Sequence, residues 1–148
     1  MDNLMNSIID YMTKKHRDCD DAFAAAEQAV STDDWGQAND HWRAFADELE
    51  RHLQMEEQVL FPKLEETNPS SGGPTNMMRM EHQQMRSLVH QINEALSEQL
   101  DENFFGLSET LMVLMQQHNM KEEQVLYPMA DQTLSAPEDV IAAMDKLH

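Results

Sequence analysis

The strongest constraint on the fold of this chain is an internal repeat. Residues 52–62 (HLQMEEQVLFP) align with residues 118–128 (HNMKEEQVLYP), with seven identities in eleven positions and a Phe/Tyr exchange. The same offset of 66 residues carries His16 onto His82. Repeated units of this kind bury their apolar faces against each other. We therefore expect two similar halves related by a pseudo-twofold axis.

Both halves have the composition of helices. They are rich in Ala, Leu, Met, Glu and Gln, and no run alternates apolar and polar residues as a strand would. Residues 67–74 hold four of the nine Gly and Pro residues and divide the halves. We predict an all-α protein, an up-down-up-down four-helix bundle with a pseudo-twofold internal repeat and a short C-terminal helix. Residues 1–148 form one domain, with repeat halves at about 5–66 and 75–130 and a tail helix at about 136–147.

Turn and capping residues set the expected helix ends. The first helix runs from about residue 3 to 30, and the turn at residues 31–34 caps a second one that reaches about residue 66. Pro62 is expected to kink or end that second helix. Thr75 is expected to cap a third helix to about residue 99, and residues 100–103 separate it from a fourth. Ser135 and Glu138 have the spacing of a capping box for the tail helix.

Charge and cysteine content limit the class of protein. The chain has 28 acidic and 10 basic residues and a net charge of −18, so nucleic acid and anionic membranes would be repelled. It has neither the pattern of a signal peptide nor an apolar run of about 20 residues that could span a membrane. Its single cysteine, Cys19, cannot form an intrachain disulfide. We expect a soluble, cytoplasmic protein with no nucleic-acid partner.

Histidine and glutamate residues form the chemically distinctive pattern. His52 with Glu56, and His118 with Glu122, are four residues apart and therefore lie on one helix face. Histidines with apolar neighbours at helical spacing occur 36 residues before each pair. All of these side chains are expected to point into the bundle. The candidate metal ligands are His16, His52, Glu56, His82, His118 and Glu122.

A metal centre explains why such groups would be buried together. Unpaired buried carboxylates are costly unless they are neutralised, paired or bound to metal. Imidazole and carboxylate without thiolate suit iron, manganese or zinc, and helix bundles are known to enclose two-metal carboxylate sites. We expect a dinuclear centre in which an oxide or hydroxide joins two ions of iron, manganese or zinc. Each ion has two histidines, and Glu56 and Glu122 bridge both, which leaves one open position on each ion.

Other polar residues near the pattern have alternative roles. Glu57 and Glu123 repeat as well, but they lie about 100° further round the helix than Glu56 and Glu122. There they would be solvated charges or hydrogen-bond acceptors for the ligands, with a role as ligands the less favoured alternative. Asp20 and Arg86 occupy equivalent positions four residues after their histidines. They could pair with each other or orient a histidine, and Asp20 is also a candidate ligand.

The remaining histidines and the sulfur-containing residues are expected to stay out of the coordination sphere. His41 is too far along its helix, about 16 Å from the level of His52, and His90 and His148 are expected at the surface. Cys19 is either a small buried hydrophobic residue or a thiol near the metal. Methionine, which occurs 13 times in the chain, is expected to fill the core around the site.

The six candidate ligands occur in the order found in the hemerythrin-like cation-binding domain, which the chain resembles over about residues 5–130. This resemblance implies a non-haem di-iron centre bridged by two glutamates, as in the hemerythrin-like domain of iron–sulfur cluster repair proteins. Oxygen-carrying hemerythrins are less similar, because they have a second histidine where this chain has Arg86. Ferritin-like oxidases need Glu-x-x-His on two helices, and no histidine here has Glu three residues before it.

Three functions are compatible with this pattern. The leading one is a protein that binds, senses or reacts with a small oxidant or diatomic molecule (oxygen, nitric oxide or peroxide) at an open metal position. The alternatives are an iron storage, delivery or iron–sulfur cluster repair module, and a bundle stapled by zinc that binds another protein. A homo-oligomer or a protein partner is compatible with each of them.

Overall fold

The computed structural model describes residues 7–147, and the helical content predicted from the sequence is confirmed. Two π-helical segments, Glu56–Leu60 and Glu122–Leu126, join α2 to α3 and α5 to α6, and a short 3₁₀ turn, Pro69–Ser71, precedes α4. No strand occurs within residues 7–147. The α-helices are α1 (Ile8–Ser31), α2 (Trp35–Met55), α3 (Phe61–Thr67), α4 (Gly72–Ser97), α5 (Asp101–Lys121), α6 (Tyr127–Thr133) and α7 (Pro137–Asp145).

The long helices form a four-helix bundle. Short turns join α1 to α2 and α4 to α5, and each of these pairs packs side by side. Ser7 caps α1 and Asp34 caps α2, each accepting a backbone N–H three residues on. The start predicted for the first helix, at about residue 3, lies outside the described residues. The tail helix α7 packs against α1, where the Tyr11 hydroxyl donates to Asp145 at 2.8 Å.

Three of the predicted helix starts are wrong. The fourth helix was expected after residues 100–103, but α5 already begins at Asp101. The 3₁₀ turn runs directly into α4, which therefore begins at Gly72, and Thr75 is buried inside the helix rather than at its cap. The expected capping box is absent, because Pro137 fixes the first residue of α7 and Ala136 is its N-cap. Ser135 then lies one position too early to cap the helix.

Proline does not end the second helical run, which continues to Thr67. Pro62 has no N–H and its ring would clash with the carbonyl four residues earlier in a regular helix. The backbone widens instead into a π segment just before the proline, where the Phe61 N–H donates to the Glu56 carbonyl. Pro128 follows the second π segment in the same way, and Tyr127 donates to Glu122. The repeat is thus visible in the backbone.

The apolar core consists of two clusters. One, which we call the Phe23 cluster, contains Phe23, Trp42, Phe45, Met85, Phe104 and Met115 among others. The other, the Phe61 cluster, contains Met12, Met55, Phe61, Met78, Leu126 and Met144 among others. On α1 the Phe61 cluster ends at Met12 and the Phe23 cluster begins at Cys19. On α4 the Phe61 cluster ends at Met78 and the Phe23 cluster begins at Met85. A layer of polar residues lies between them.

None of the helices described between residues 7 and 147 is both long enough and apolar enough to cross a membrane.

Candidate metal centre

The structure brings all six predicted ligands together in the polar layer between the two apolar clusters. His16 comes from α1, His52 from α2, His82 from α4 and His118 from α5, while Glu56 and Glu122 are the first residues of the two π segments. Each of the six residues is at most 5% exposed. Their atoms form two groups of four, and either group could hold a metal ion.

The first group contains His16, His52 and one oxygen of each glutamate. His16 Nε2 lies 3.2 Å from His52 Nε2 and 3.2 Å from Glu122 Oε1. His52 Nε2 lies 3.4 Å from Glu56 Oε2. These separations are close to the value of about 3 Å expected for neighbouring atoms that bind one ion at 2.0–2.2 Å.

The second group contains His82, His118 and the other oxygen of each glutamate. His82 Nε2 lies 2.9 Å from Glu56 Oε1, and His118 Nε2 lies 3.1 Å from Glu122 Oε2. All four atoms are buried, and although these N–O distances are short, neither contact has the geometry of a hydrogen bond, so none of the four atoms has a hydrogen-bond partner within the described part of the chain. Buried polar atoms without partners are rare, because each loses its hydration without compensation. A cation between them would supply the missing interaction.

Both glutamates belong to both groups. Glu56 directs Oε2 to the first group and Oε1 to the second, and Glu122 does the reverse. Two ions placed in the two groups would therefore share two carboxylates. The donor set of four imidazoles and two carboxylates suits iron, manganese or zinc.

Carboxylates outside the two groups fix the orientation of three histidines. Glu123 lies 2.6 Å from Nδ1 of His16, and Glu57 lies 2.7 Å from Nδ1 of His82. Each of these glutamates supports a histidine of the opposite half. A donated Nδ1–H leaves the Nε2 lone pair free to face the centre and makes it a better ligand. Of the roles considered for Glu57 and Glu123, the structure favours hydrogen-bond acceptor.

The third carboxylate, Glu81, was not predicted from the sequence. It lies 2.8 Å from Nδ1 of His118 and also binds Lys121 at 2.6 Å. The repeat places Lys15 at the equivalent position of the first half. Nδ1 of His52 accordingly has no hydrogen-bond partner among residues 7–147. The two groups therefore differ in carboxylate support: both histidines of the second group have a carboxylate at Nδ1, but only His16 does in the first group.

The electrostatics of the layer favour cations. Burial lowers the pKa of His118, but the charge of Glu122 and the neighbouring carboxylates outweigh burial and raise it to about 9. The pKa values of His16 and His82 are raised for the same reason. Burial raises the pKa of Glu56, yet His52 and the contacts with Glu122 and His82 hold it well below its ordinary value. In this environment protons and metal ions compete for the same atoms.

Arg86 and Asp20 do not pair with each other. The Arg86 guanidinium binds Glu50 at 3.0 Å and Glu57 at 2.9 Å, and it therefore holds in place the carboxylate that orients His82. It also lowers the pKa of Glu57 against the effect of burial. Asp20 is exposed and belongs to neither metal group. The structure thus gives no support for Asp20 as a ligand.

The residues expected to lie outside the centre belong to neither group. Cys19 is buried in the Phe23 cluster, and burial raises the pKa of its thiol to about 12. His41 is half-buried and His90 is exposed, while His148 lies outside the described residues. Most of the methionines at helical spacing are core residues of the two apolar clusters: Met12, Met55, Met78, Met85 and Met115.

Tyr127 also reaches the centre, a position that was not predicted from the sequence. Its hydroxyl is fully buried and lies 2.5 Å from Glu56 Oε2 and 2.7 Å from Glu122 Oε1. Burial and the charges of Glu122 and Glu56 raise its pKa well above its ordinary value. The one signal for this residue was the Phe/Tyr exchange within the repeat, since Phe61 occupies the equivalent position.

Comparison with known proteins agrees with this arrangement. The model of the Hemerythrin family, described as the hemerythrin HHE cation-binding domain, matches residues 7–130. No curated protein and no solved structure matches the chain. The family match covers the four bundle helices together with both π segments and both buried His/Glu groups. The chain belongs to the hemerythrin HHE cation-binding family.

Proposed function

We propose that the chain is a dinuclear iron protein that binds, senses or reacts with a small oxidant or diatomic molecule. His16 and His52 hold one ion and His82 and His118 hold the other. Glu56 and Glu122 bridge the two. When bound, the ions supply redox chemistry and an open coordination position for oxygen, nitric oxide or peroxide.

One observation carries this proposal. The four atoms of the second group are buried, lie about 3 Å from one another in pairs, and lack hydrogen-bond partners within residues 7–147. A structural cluster of polar residues would have paired its donors and acceptors, because buried networks that are only partly satisfied are costly. Atoms that face a common point instead of each other are typical of a metal site.

The protein residues around the centre have three tasks. Glu123, Glu57 and Glu81 orient the histidines and keep Nε2 free for the metal. The Phe23 and Phe61 clusters exclude bulk water from both ends of the layer, which strengthens every electrostatic interaction inside it. The burial of all six ligands limits access to small molecules.

The order of the ligands also supports a narrower proposal. It is similar to that of the di-iron domain in iron–sulfur cluster repair proteins, which use two bridging glutamates, rather than to that of oxygen carriers. We therefore favour a reactive or sensing centre over reversible oxygen transport. The negative charge of the chain is compatible with recruitment of cations to the same site.

The test is metal content combined with visible absorption spectra. Protein purified from its native host should contain two irons per chain, and the reduced form should change its spectrum on exposure to oxygen, nitric oxide or azide. The double variant His52→Ala/His118→Ala should lose the iron. The matched control His41→Ala/His90→Ala should retain it, since neither residue belongs to the metal groups. Zinc as the sole metal, or iron whose spectrum does not respond to any of the three molecules, would contradict the proposal.

A further inference from the structure

The hydroxyl of Tyr127 has the position of a fifth ligand in the first metal group. It lies 2.5 and 2.7 Å from the two carboxylate oxygens, 3.2 Å from His16 Nε2 and 3.5 Å from His52 Nε2. Atoms that share one ion at 2.0–2.2 Å lie about 3 Å from their neighbours. Tyr127 Oη lies within 3.5 Å of all four atoms of the group, and its distances to them fall on both sides of this value.

Hydrogen bonding alone does not account for these contacts. A phenol has one proton and can donate it to only one acceptor at a time. Two carboxylate oxygens approach Oη to 2.7 Å or less, so the phenol proton serves only one of these short contacts, and the other is repulsive when both glutamates are ionised. A cation among the three oxygens removes that repulsion.

The equivalent position in the second group has no polar atom. Phe61 is fully buried there, and its ring stacks on His82 with centroids 5.7 Å apart and planes 22° apart. The four atoms of the second group are the ones without hydrogen-bond partners, whereas the carboxylate oxygens of the first group contact Tyr127. The two groups thus differ by one phenol oxygen.

The π segment explains how Tyr127 reaches the centre. Tyr127 is five residues after Glu122, and in a regular α-helix it would lie about 140° further round the axis. The hydrogen bond from the Tyr127 N–H to the Glu122 carbonyl spans five residues and places the two side chains on one face. Pro128 stands directly after this turn, as Pro62 does after Phe61. The backbone directs residue 61 of the first half and residue 127 of the second half towards the centre, and the identity of the side chain makes the difference.

We infer that Tyr127 is a fifth protein ligand of the ion held by His16 and His52, so that the open position of the centre belongs to the other ion, beside Phe61. The inference rests on the proposed dinuclear centre. As the oxygen–metal bond forms, the phenol proton is released to water, because a bound cation stabilises the anionic form of its ligands. A small molecule then binds next to His82 and His118.

The experiment uses the absorption band that a phenolate gives when it donates charge to ferric iron. The wild-type chain is loaded with ferrous iron without oxygen and then oxidised in air. We expect a visible tyrosinate band, with tyrosinate vibrations in resonance Raman spectra. Tyr127→Phe should lower the band at least tenfold. Tyr11→Phe is the matched control, because Tyr11 is the only other tyrosine in the chain and binds Asp145.

The outcomes separate this inference from the proposed function. Two irons per wild-type chain without a tyrosinate band overturn the role of Tyr127 and leave the dinuclear centre intact. A wild-type chain that retains no iron overturns both. If Tyr127→Phe fails to hold iron, a band that persists in Tyr11→Phe still assigns the ligand to Tyr127. A band that disappears in Tyr11→Phe contradicts the assignment.

The position of the open site is tested with azide as the probe. Phe61→Tyr places a phenol beside the second ion, and we expect it to strengthen the tyrosinate band and to weaken azide binding at least tenfold. Tyr127→Phe should not weaken azide binding, since it removes a ligand from the other ion. Equal azide affinity in the wild type and Phe61→Tyr would overturn the assignment of the open position.

Discussion

At the scale of single residues, the four central histidines are not equivalent. His16, His82 and His118 each have a carboxylate within 2.8 Å of Nδ1, while His52 has none in the described part of the chain. A carboxylate partner fixes the ring and increases the electron density at Nε2. The second group, with His82 and His118, therefore has two supported histidines, and the first group, with His16 and His52, has one.

This difference predicts the effect of removing Glu81. Glu81→Gln keeps the shape of the side chain but removes the charge that supports His118, so metal affinity should fall about 10–100-fold. Competition with a chelator of known affinity measures the change. Glu94→Gln is the control, because Glu94 is exposed and lies near His90 rather than the centre. An affinity loss of the same size in both variants would show that general charge, not support of His118, is responsible.

The residue-scale features also show what the sequence could and could not predict about the site. The repeat was sufficient to select all six residues that the structure brings together, because the helical period determines which side chains share a face. Glu81 and Tyr127 were missed for a different reason. Glu81 is on α4 and contacts His118 on the neighbouring helix α5. Tyr127 reaches Glu122 only because a π turn replaces an α turn. Neither contact follows from the spacing of a regular helix.

At the scale of helices, the periodic pattern predicted the helical runs well and their ends less well. Helix α4 is about seven turns long, and its buried residues recur at helical spacing along it, so the helix itself could be predicted from the sequence. Its first residue depends on the 3₁₀ turn before it, whose backbone already has helical dihedrals at Ser71. Thr75 is therefore not a cap. Its hydroxyl donates instead to Glu65 of α3 at 2.5 Å, beside Arg79, which binds the same carboxylate at 2.6 Å.

This contact between α3 and α4 predicts a specific pH dependence. Arg79, opposed by burial and aided by Thr75, lowers the pKa of Glu65 below its ordinary value of 4.5. A lowered pKa stabilises the fold above pH 4.5, and this contribution is lost as the pH falls through the folded-state value. Glu65→Gln should therefore reduce the free energy of unfolding by about 1 kcal/mol at pH 7, a figure limited by partial exposure of the pair. The deficit should be smaller at pH 3, which is below the ordinary pKa of the carboxyl, than at pH 7.

Urea unfolding of metal-free protein at both pH values measures this effect. Glu66→Gln is the matched control, because Glu66 is the next residue, is 73% exposed and makes only a 3.9 Å contact with Lys63. It should change stability little at either pH. A deficit in Glu65→Gln that is the same at pH 7 and pH 3 would mean that the carboxylate charge does not link the two helices.

At the scale of the whole molecule, the polar layer divides the hydrophobic core. The Phe23 and Phe61 clusters supply the apolar burial, but four histidines and two glutamates occupy the space between them. Buried charged groups gain little net stability from pairing, because the loss of hydration offsets their attraction. Cations bound in this layer would offset the cost. We therefore expect the metal-free bundle to be the less stable form of the fold, with a stability that depends on metal concentration.

Because of this dependence, we expect iron loading to raise the thermal midpoint of unfolding. A ligand that binds only the folded state stabilises it by about 2.7 kcal/mol when its free concentration is 100 times Kd, so two ions at that level contribute about 5 kcal/mol. For a chain of this length the thermal midpoint should rise by roughly 10–20 °C between chelator-treated and iron-loaded protein. Differential scanning calorimetry under anaerobic conditions measures the shift. In His52→Ala/His118→Ala the midpoint should not respond to iron, whereas in His41→Ala/His90→Ala it should rise as in the wild type. If all three proteins show the same shift, the cations stabilise the fold through its acidic surface and not through the buried layer.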